Sequence, residues 1–341
     1  MIPSTYTATL LLALLAMICW GSWANTVKKC GKWRFELYCY DFALGLLLCA
    51  LAASFSLGMF GSDITFYDNL TIVRKLQIGY AGLAGMAFAL ASILLIGAIS
   101  IAGIAITFPL SLGLGLVVHL VWTSIDKPAG NPFLLFSGVG VTVAAVALAV
   151  MAYYIVHAHA KLSQPAPLPG RRPIPFPSAG VVIALGVVSG LFLGTLFPLL
   201  NWAKQGDIEM GSHAVGFIFA IAVFFTTLVL NLYFMNLPVR GSAISISAYF
   251  SGTARQHLWG ILGGAVWYAG TISYLAAQTA TGGAMVDPKL IHALGQGGTI
   301  LASLSGLLIW KDLASAPAKA RSQMWISILL TLAGIVFIYL A

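Results

Sequence analysis

Residues 160–178 read AKLSQPAPLPGRRPIPFPS, and six of them are proline. Each proline removes a backbone donor and restricts the residue before it, so this stretch reads as an extended linker rather than a helix. On either side of it the chain runs in long apolar segments. They fall at about residues 7–27, 36–60, 78–100, 103–125 and 133–156 before the linker, and at about 178–203, 213–236, 257–280, 283–310 and 323–341 after it. The linker at 160–178 therefore separates a first unit, 1–159, from a second, 179–341, with five segments in each. Of the 341 residues 60% are hydrophobic and 8% charged, which leaves too little polar surface for a globule in water. A segment of roughly 20 apolar residues crosses a hydrocarbon layer of roughly 30 Å, and there only a helix pairs all of its own backbone groups. Continuous apolar runs, rather than ten-residue alternating ones, argue against a β-barrel. The expected fold is an all-α polytopic membrane protein of ten transmembrane helices.

The basic residues orient it. Lys28, Lys29, Lys32, Arg34, Lys161, Arg171, Arg172, Arg240, Arg255, Lys311, Lys319 and Arg321 follow spans 1, 5, 7 and 9, whereas the opposite loops hold Arg74, Lys75, Lys127 and Lys204. The positive-inside rule then predicts a multi-pass protein of a cell inner membrane with both termini outside the cytoplasm. It also accounts for the formal charge of +8 without a nucleic-acid partner. Cys19, Cys30, Cys39 and Cys49 have no metal-ligand spacing and read as free thiols. The first segment lacks a basic leader and a small-residue cleavage site, so a retained helix is expected.

An odd number of spans per unit inverts one unit against the other if the two share a fold. Sliding the chain by 179 residues lays spans 3 and 4 on spans 8 and 9. Leu83, Gly85, Ile93, Ala98, Gly103, Ala105 and Pro109 fall on Leu262, Gly264, Ile272, Ala277, Gly282, Ala284 and Pro288. A shorter echo pairs Gly21-Ser22 with Gly194-Thr195 at an offset of 173. Two inverted five-helix repeats are therefore expected, an architecture of many secondary transporters, with a binding site near the midplane.

Trp20-Gly21-Ser22-Trp23, the basic loop after it and Tyr40-Asp41-Phe42 resemble the start of ureide permease-like proteins in the drug/metabolite transporter superfamily. The close pair of spans 3 and 4, with its Gly103 to Pro109 segment, is similar too. Gly264-Ala265-Val266-Trp267-Tyr268 resembles the glucose/ribose and rhamnose permease branches. The resemblance implies a five-plus-five fold and import of a small solute by alternating access. Plant ureide permeases carry a phosphate-loop-like linker, and the linker here has no GxxxxGK[ST], so nucleotide dependence is not expected.

Ionisable groups inside a span cost roughly 2.5 to 3.5 kcal/mol each on insertion scales, so the few present are candidates for function. On span 9, Lys289, His292, Gln296, Thr299 and Ser303 recur at three- and four-residue steps, one polar stripe facing either a solute path or a neighbouring helix. Asp287 lies off that stripe and precedes Pro288. It caps the helix or, where the chain breaks, turns into a cavity as a coupling site. Asp41 is read either as an interfacial partner of Lys32, Arg34 or a neighbouring loop, or as a coupling or gating carboxylate. On span 8, Trp267, Thr271, Tyr274 and Gln278 share a face suited to stacking on a ring-shaped neutral solute, or simply to packing. Trp20, Trp23 and Asn25 in span 1, with Asn201 and Trp202 in span 6, end the two related helices alike. The tryptophans also fit an interfacial belt. His119 reads as a structural residue, and Gly190xxxGly194 and Gly260xxxGly264 as close helix contacts.

No GxSxG, HExxH or phosphate-cradling loop is present, so neither an enzyme nor a cofactor is expected. The expected partners are a small polar solute such as a sugar, ureide or nucleobase, membrane lipids, and a proton as coupling ion, with oligomerisation left open. A metabolite or drug exporter and a noncatalytic membrane subunit are the rival readings.

Overall fold

The protein is represented by a computed structural model that describes residues 3–60, 64–126, 130–163 and 178–341. The described residues contain ten helices of 17 residues or more and no strand: α1 Tyr6–Ser22, α2 Phe35–Phe55, α3 Lys75–Ala102, α4 Ile104–Asp126, α5 Pro132–Leu162, α6 Ala179–Lys204, α7 Ser212–Asn236, α8 Ala254–Ala277, α9 Pro288–Leu304 and α10 Ala318–Leu340. A single π-helical stretch, Ser305–Ile309, prolongs α9. Several helix starts satisfy their free N–H groups with side chains, and Asp287 is the one expected from the sequence. Asn131 caps α5 ahead of Pro132, Thr253 and Gln256 form a reciprocal box at α8, and Asp287 caps α9 ahead of Pro288. Helix α5 runs on to Leu162, so residues 160–162 of the expected linker are helical, and residues 164–177 lie outside the described residues.

Eight of these helices are long and apolar enough to cross a membrane. The first qualifies through its continuation to Lys29, whereas two fall short, α8 and α9: α9 has 17 residues and a polar stripe, and α8 opens on Ala254-Arg255-Gln256-His257 and is rich in Gly, Tyr and Trp. Both helices exist as expected, and both are the more polar ones. Large apolar side chains elsewhere point out of the bundle in stripes, such as Leu11, Leu15 and Ile18 on α1 and Phe225, Val229 and Leu232 on α7. Spaced at three and four residues, such stripes suit contact with lipid.

The most heavily packed pairs are α5 with α10, α3 with α6, α4 with α6, α2 with α8, α3 with α7, α1 with α9, α2 with α7 and α1 with α8; α4 with α5 and α9 with α10 follow. Small residues permit the closest approaches. A Cβ on Gly264 of α8 would lie 1.8 Å from the Phe42 carbonyl oxygen of α2, and one on Gly190 of α6 would lie 2.6 Å from the Ser111 carbonyl oxygen of α4. The largest buried cluster joins α1, α2, α3, α4, α6, α7, α8 and α9, and includes Trp20, Trp23, Phe42, Phe88, Phe108, Trp267 and Tyr274.

Both chain termini lie at one end of the bundle. Thr9 Oγ donates to the Ala284 carbonyl at 2.7 Å beside the α8–α9 connection, and the Asn131 N–H donates to the Ala341 carbonyl at 2.7 Å. The other end carries the α1–α2 loop, the α7–α8 segment and the residues after α9; we call it the linker end.

Candidate solute cavity

The two helices too polar to qualify as spans by hydropathy wall a cavity of 290 Å3 at the terminus end. Lys289, His292 and Gln296 of α9 line it together with Tyr274 and Gln278 of α8, His119 and Thr123 of α4, and Phe197 and Asn201 of α6. It communicates outward with a vestibule of 540 Å3, with which it shares Thr123, Asn201, Gln278 and Pro288. Inward it shares His119, Phe197 and Gln296 with a recess of 70 Å3 that Trp20, Trp23, Phe88, Trp267 and Thr299 close off.

The polar wall is one hydrogen-bonded string. Gln278 Nε2 donates to the Tyr274 hydroxyl at 3.0 Å, that hydroxyl lies 3.2 Å from His292 Nδ1, and Gln296 Nε2 lies 3.5 Å from His292 Nε2. His119 stacks against His292 with ring centroids 4.6 Å apart, and its Nδ1 has no protein partner. Behind the string stands an aromatic box. Phe197 touches both imidazoles, at 5.6 and 5.3 Å, and Trp20 lies 5.8 Å from Phe197, 5.2 Å from Tyr274 and 6.4 Å from Trp267. Trp20 is fixed by its own donor, since Nε1 donates to Thr271 Oγ at 3.3 Å. Its indole has room because residue 295 on α9 is glycine, where a Cβ would lie 2.9 Å from the ring. Among the described residues no Asp or Glu side chain lines the cavity or its recess, Lys289 is the one cation that does, and the last residue, Ala341, lines the cavity too.

Tyr274, Gln278, Lys289, His292 and Gln296 thus meet on one wall, with Trp20 and Trp267 at its inner end. Thr271 is buried behind that wall as the acceptor for Trp20, and Ser303 is spent within α9, donating to the Thr299 carbonyl at 2.8 Å. Asn25 is elsewhere: it lies toward the linker end, where its Oδ1 accepts from Trp310 Nε1 at 2.6 Å. Asp287 is exposed and accepts the Lys289 N–H at 2.8 Å, so it serves as the helix cap. Its neighbour Lys289 is exposed as well.

Asp41 is fully buried near the linker end, away from the cavity. Of the expected partners, Lys32, Arg34 or a neighbouring loop, it takes neither cation but the segment between α7 and α8 and the start of α8. It accepts from the Tyr249 hydroxyl at 2.5 Å, and His257 Nδ1 stands 3.0 Å from both of its oxygens. Arg34 pairs instead with Glu36, a second fully buried carboxylate that the sequence reading passed over. That pairing raises the Arg34 pKa, opposed by burial. Burial pushes the Tyr249 hydroxyl well above the ordinary phenol range, and its bond to Asp41 adds to the shift. Asp312, also passed over, pairs with Lys28 at 2.6 Å.

His119 is the cavity residue that sequence reasoning set aside. What brings it opposite His292 is the direct packing of α4 on α9.

No family model matches the chain, and no curated protein matches it. Solved structures do match; in one of them, described only as a crystal structure of a protein, 96% of the chain superposes on 98% of this one with a TM-score of 0.54 at 14% identity. That likeness extends over the whole length and concerns the fold alone.

Proposed function

We propose that this protein is a carrier that moves a small, uncharged polar solute across a membrane by alternating access, built from two inverted five-helix halves that cross the membrane ten times. The observation that carries the reading is the cavity. A largely apolar pocket of 290 Å3 with one polar wall enters a membrane-type bundle from one end, and aromatic side chains close it below. At about the lower limit of small-molecule pockets, which run from roughly 300 Å3 upward, it suits a small solute. Hydroxyl, amide and imidazole groups on the wall with rings beneath suit a flat or ring-shaped molecule bearing several hydrogen-bonding groups, such as a sugar, ureide or nucleobase. The absence of Asp and Glu side chains from the described wall, where Lys289 stands, disfavours a cation. A subunit that only packs would have a dry interface there.

The ten-span, two-half reading rests on symmetry in the packing. Exchange each helix for the one five places along: α3 with α6 becomes α8 with α1, α4 with α6 becomes α9 with α1, α2 with α8 becomes α7 with α3, and α4 with α5 becomes α9 with α10. Every pair and its exchange partner are in contact, and α5 with α10 and α2 with α7 exchange into themselves. Membership of the ureide permease-like branch of the drug/metabolite transporter superfamily is consistent with that layout. By the charge rule the open end and both termini face away from the cytoplasm. His119 and His292 stand beside Tyr274 and Lys289 as titratable groups on the cavity wall, and through the imidazoles a proton would enter the cycle. The reading assigns carriage, with no catalysis and no cofactor.

A thermal-shift screen of the purified protein against sugars, ureides, nucleobases and small organic cations tests it. A ligand at a hundred times its Kd stabilises by about 2.7 kcal/mol, enough to see. The reading expects neutral ring solutes to raise Tm and cations not to; stabilisation by cations alone, or by nothing in the panel, overturns it.

A further inference from the structure

A carrier needs a second opening, and the solute cavity reaches only the terminus end. Resting on the carrier reading, we propose that the second mouth of the path is a separate cavity of 500 Å3 at the linker end, bounded by Lys28, Lys32, Tyr38, Ile99, Ser100 and Arg240, and that the Lys28–Asp312 ion pair latches it shut in this conformation.

The register of the two halves points to it. At the 173-residue offset of α1 against α6, Lys28 and Lys32 fall on Asn201 and Gln205, and at the 179-residue offset of α3 against α8, Ile99 falls on Gln278. Asn201, Gln205 and Gln278 all wall the vestibule that is open now. The linker-end cavity is thus the counterpart of the open vestibule under exchange of the halves, and alternating access consists of opening one while closing the other.

Little separates this mouth from the solute. Trp23 lines the inner recess and Tyr38 the second mouth, and Phe42 stands between them, 5.1 Å from the one ring and 6.1 Å from the other. The Tyr38 hydroxyl is bonded to Thr26 Oγ at 2.6 Å, which completes the layer. Asp312 fastens it across the two halves. One carboxylate oxygen takes Lys28 Nζ at the end of the first transmembrane segment, while the other accepts the Ile104 N–H at 2.7 Å and the Ala105 N–H at 3.2 Å at the start of α4. Residue 103 is glycine at φ +83°, and a Cβ there would lie 2.6 Å from the Asp312 carboxyl carbon, so only glycine admits the latch. The π turn Ser305–Ile309 just before Asp312 is the kind of local irregularity at which a helix can shift register. Chemically, Lys28, Lys32, Arg34 and Arg240 wall the mouth and no carboxylate does, so it admits neutral or anionic solutes and opposes cations.

The protein carries its own reporter. Cys30 lines this mouth, is 5% exposed, and donates its thiol to the Gln256 carbonyl at 3.5 Å. Burial, with a smaller contribution from Asp41, pushes its pKa up to about 12, so it reacts slowly at neutral pH while the mouth is shut.

The test is the rate at which a membrane-impermeant maleimide, applied from the linker side of sealed vesicles holding the full chain, modifies Cys30, read by peptide mass. Lys28→Met removes the latch and leaves the Asp312 cap on α4 intact; Asp312→Asn weakens both. The expected result is a rise of about tenfold or more in Cys30 modification in each variant, while Cys39, buried in the core, stays unmodified. In the same Lys28→Met background, modification of Ser124→Cys on the open cavity, measured from the opposite side, slows. Unchanged protection of Cys30 in both variants overturns the proposal. So does Cys39 reacting in step with Cys30, which reports melting, or an unslowed Ser124→Cys, which reports fraying without exchange. Solute uptake by the wild-type protein reads the carrier assignment separately: uptake with Cys30 still protected in both variants removes this mouth and leaves the carrier.

Discussion

Replacing Tyr274 by phenylalanine asks whether the polar string on the cavity wall serves a ligand or only the fold. The substitution keeps the ring against Trp20 and Phe197 and deletes the hydroxyl that joins Gln278, at 3.0 Å, to His292, at 3.2 Å. Each intramolecular hydrogen bond contributes a net ~0.5–1.5 kcal/mol, and a buried partner left alone costs about 1–3 kcal/mol. Gln278 and His292 both face the cavity, where water can replace the lost hydroxyl, so the loss of stability is expected to be only ~1 kcal/mol. Binding is affected differently. A solute that needs the Gln278 amide and the His292 imidazole in fixed orientations loses that preorganisation, worth ~1–2 kcal/mol, which corresponds to a Kd about 5- to 30-fold weaker. Titration calorimetry with the best solute from the thermal-shift screen, together with the melting temperature of the ligand-free variant, separates the two effects. A Kd unchanged within about twofold beside a clear fall in Tm would refute the argument, since Tyr274 would then be packing and nothing more.

Other consequences of the structure can be checked alongside. Gly264→Ala puts a methyl group 1.8 Å from the Phe42 carbonyl oxygen and should destabilise by about 1–3 kcal/mol or more in thermal unfolding; an unaltered Tm would mean that α2 and α8 are not packed as described. Asp41→Asn keeps the shape of a fully buried side chain but weakens its bonds from Tyr249 and His257, and is expected to cost about 1–3 kcal/mol of stability. A variant as stable as the wild type would place Asp41 in solvent. Because the folded-state pKa of Tyr249 is raised, its contribution to stability is complete below the unfolded phenol value near 10 and is lost as pH rises through the folded one. Stability should therefore fall in alkaline solution above about pH 10, and Tyr249→Phe should flatten that fall; an identical slope in both proteins counts against the buried Asp41–Tyr249 bond.

The sequence disclosed the fold through its coarsest signal, the alternation of apolar runs with basic loops, which sets helix boundaries to within six residues. The same hydropathy fails for α8 and α9, and for a physical reason: a helix that walls a wet cavity exchanges apolar residues for Gln, His, Thr and Tyr, so the helices that line the cavity look least like membrane spans. The stripe on α9 was legible because a polar face at helical spacing is costly in lipid. What was not legible was pairing between distant segments. The choice of Tyr249 and His257 by Asp41, of Glu36 by Arg34 and of Asp312 by Lys28 depends on how the halves meet. Asn25 illustrates the converse: its position at the end of α1 echoes that of Asn201 on α6, yet Asn201 walls the cavity and Asn25 binds Trp310, because one end is open and the other closed.

Solute counterflow tests the central claim most directly. Proteoliposomes loaded with an unlabelled neutral solute identified by thermal shift, then diluted into a trace of the same compound carrying a radiolabel, should take up label transiently above equilibrium, and Lys28→Met should change the rate of that exchange. Binding that stabilises the protein with no counterflow in the wild type would contradict the account, leaving a membrane protein that holds a ligand but does not carry it.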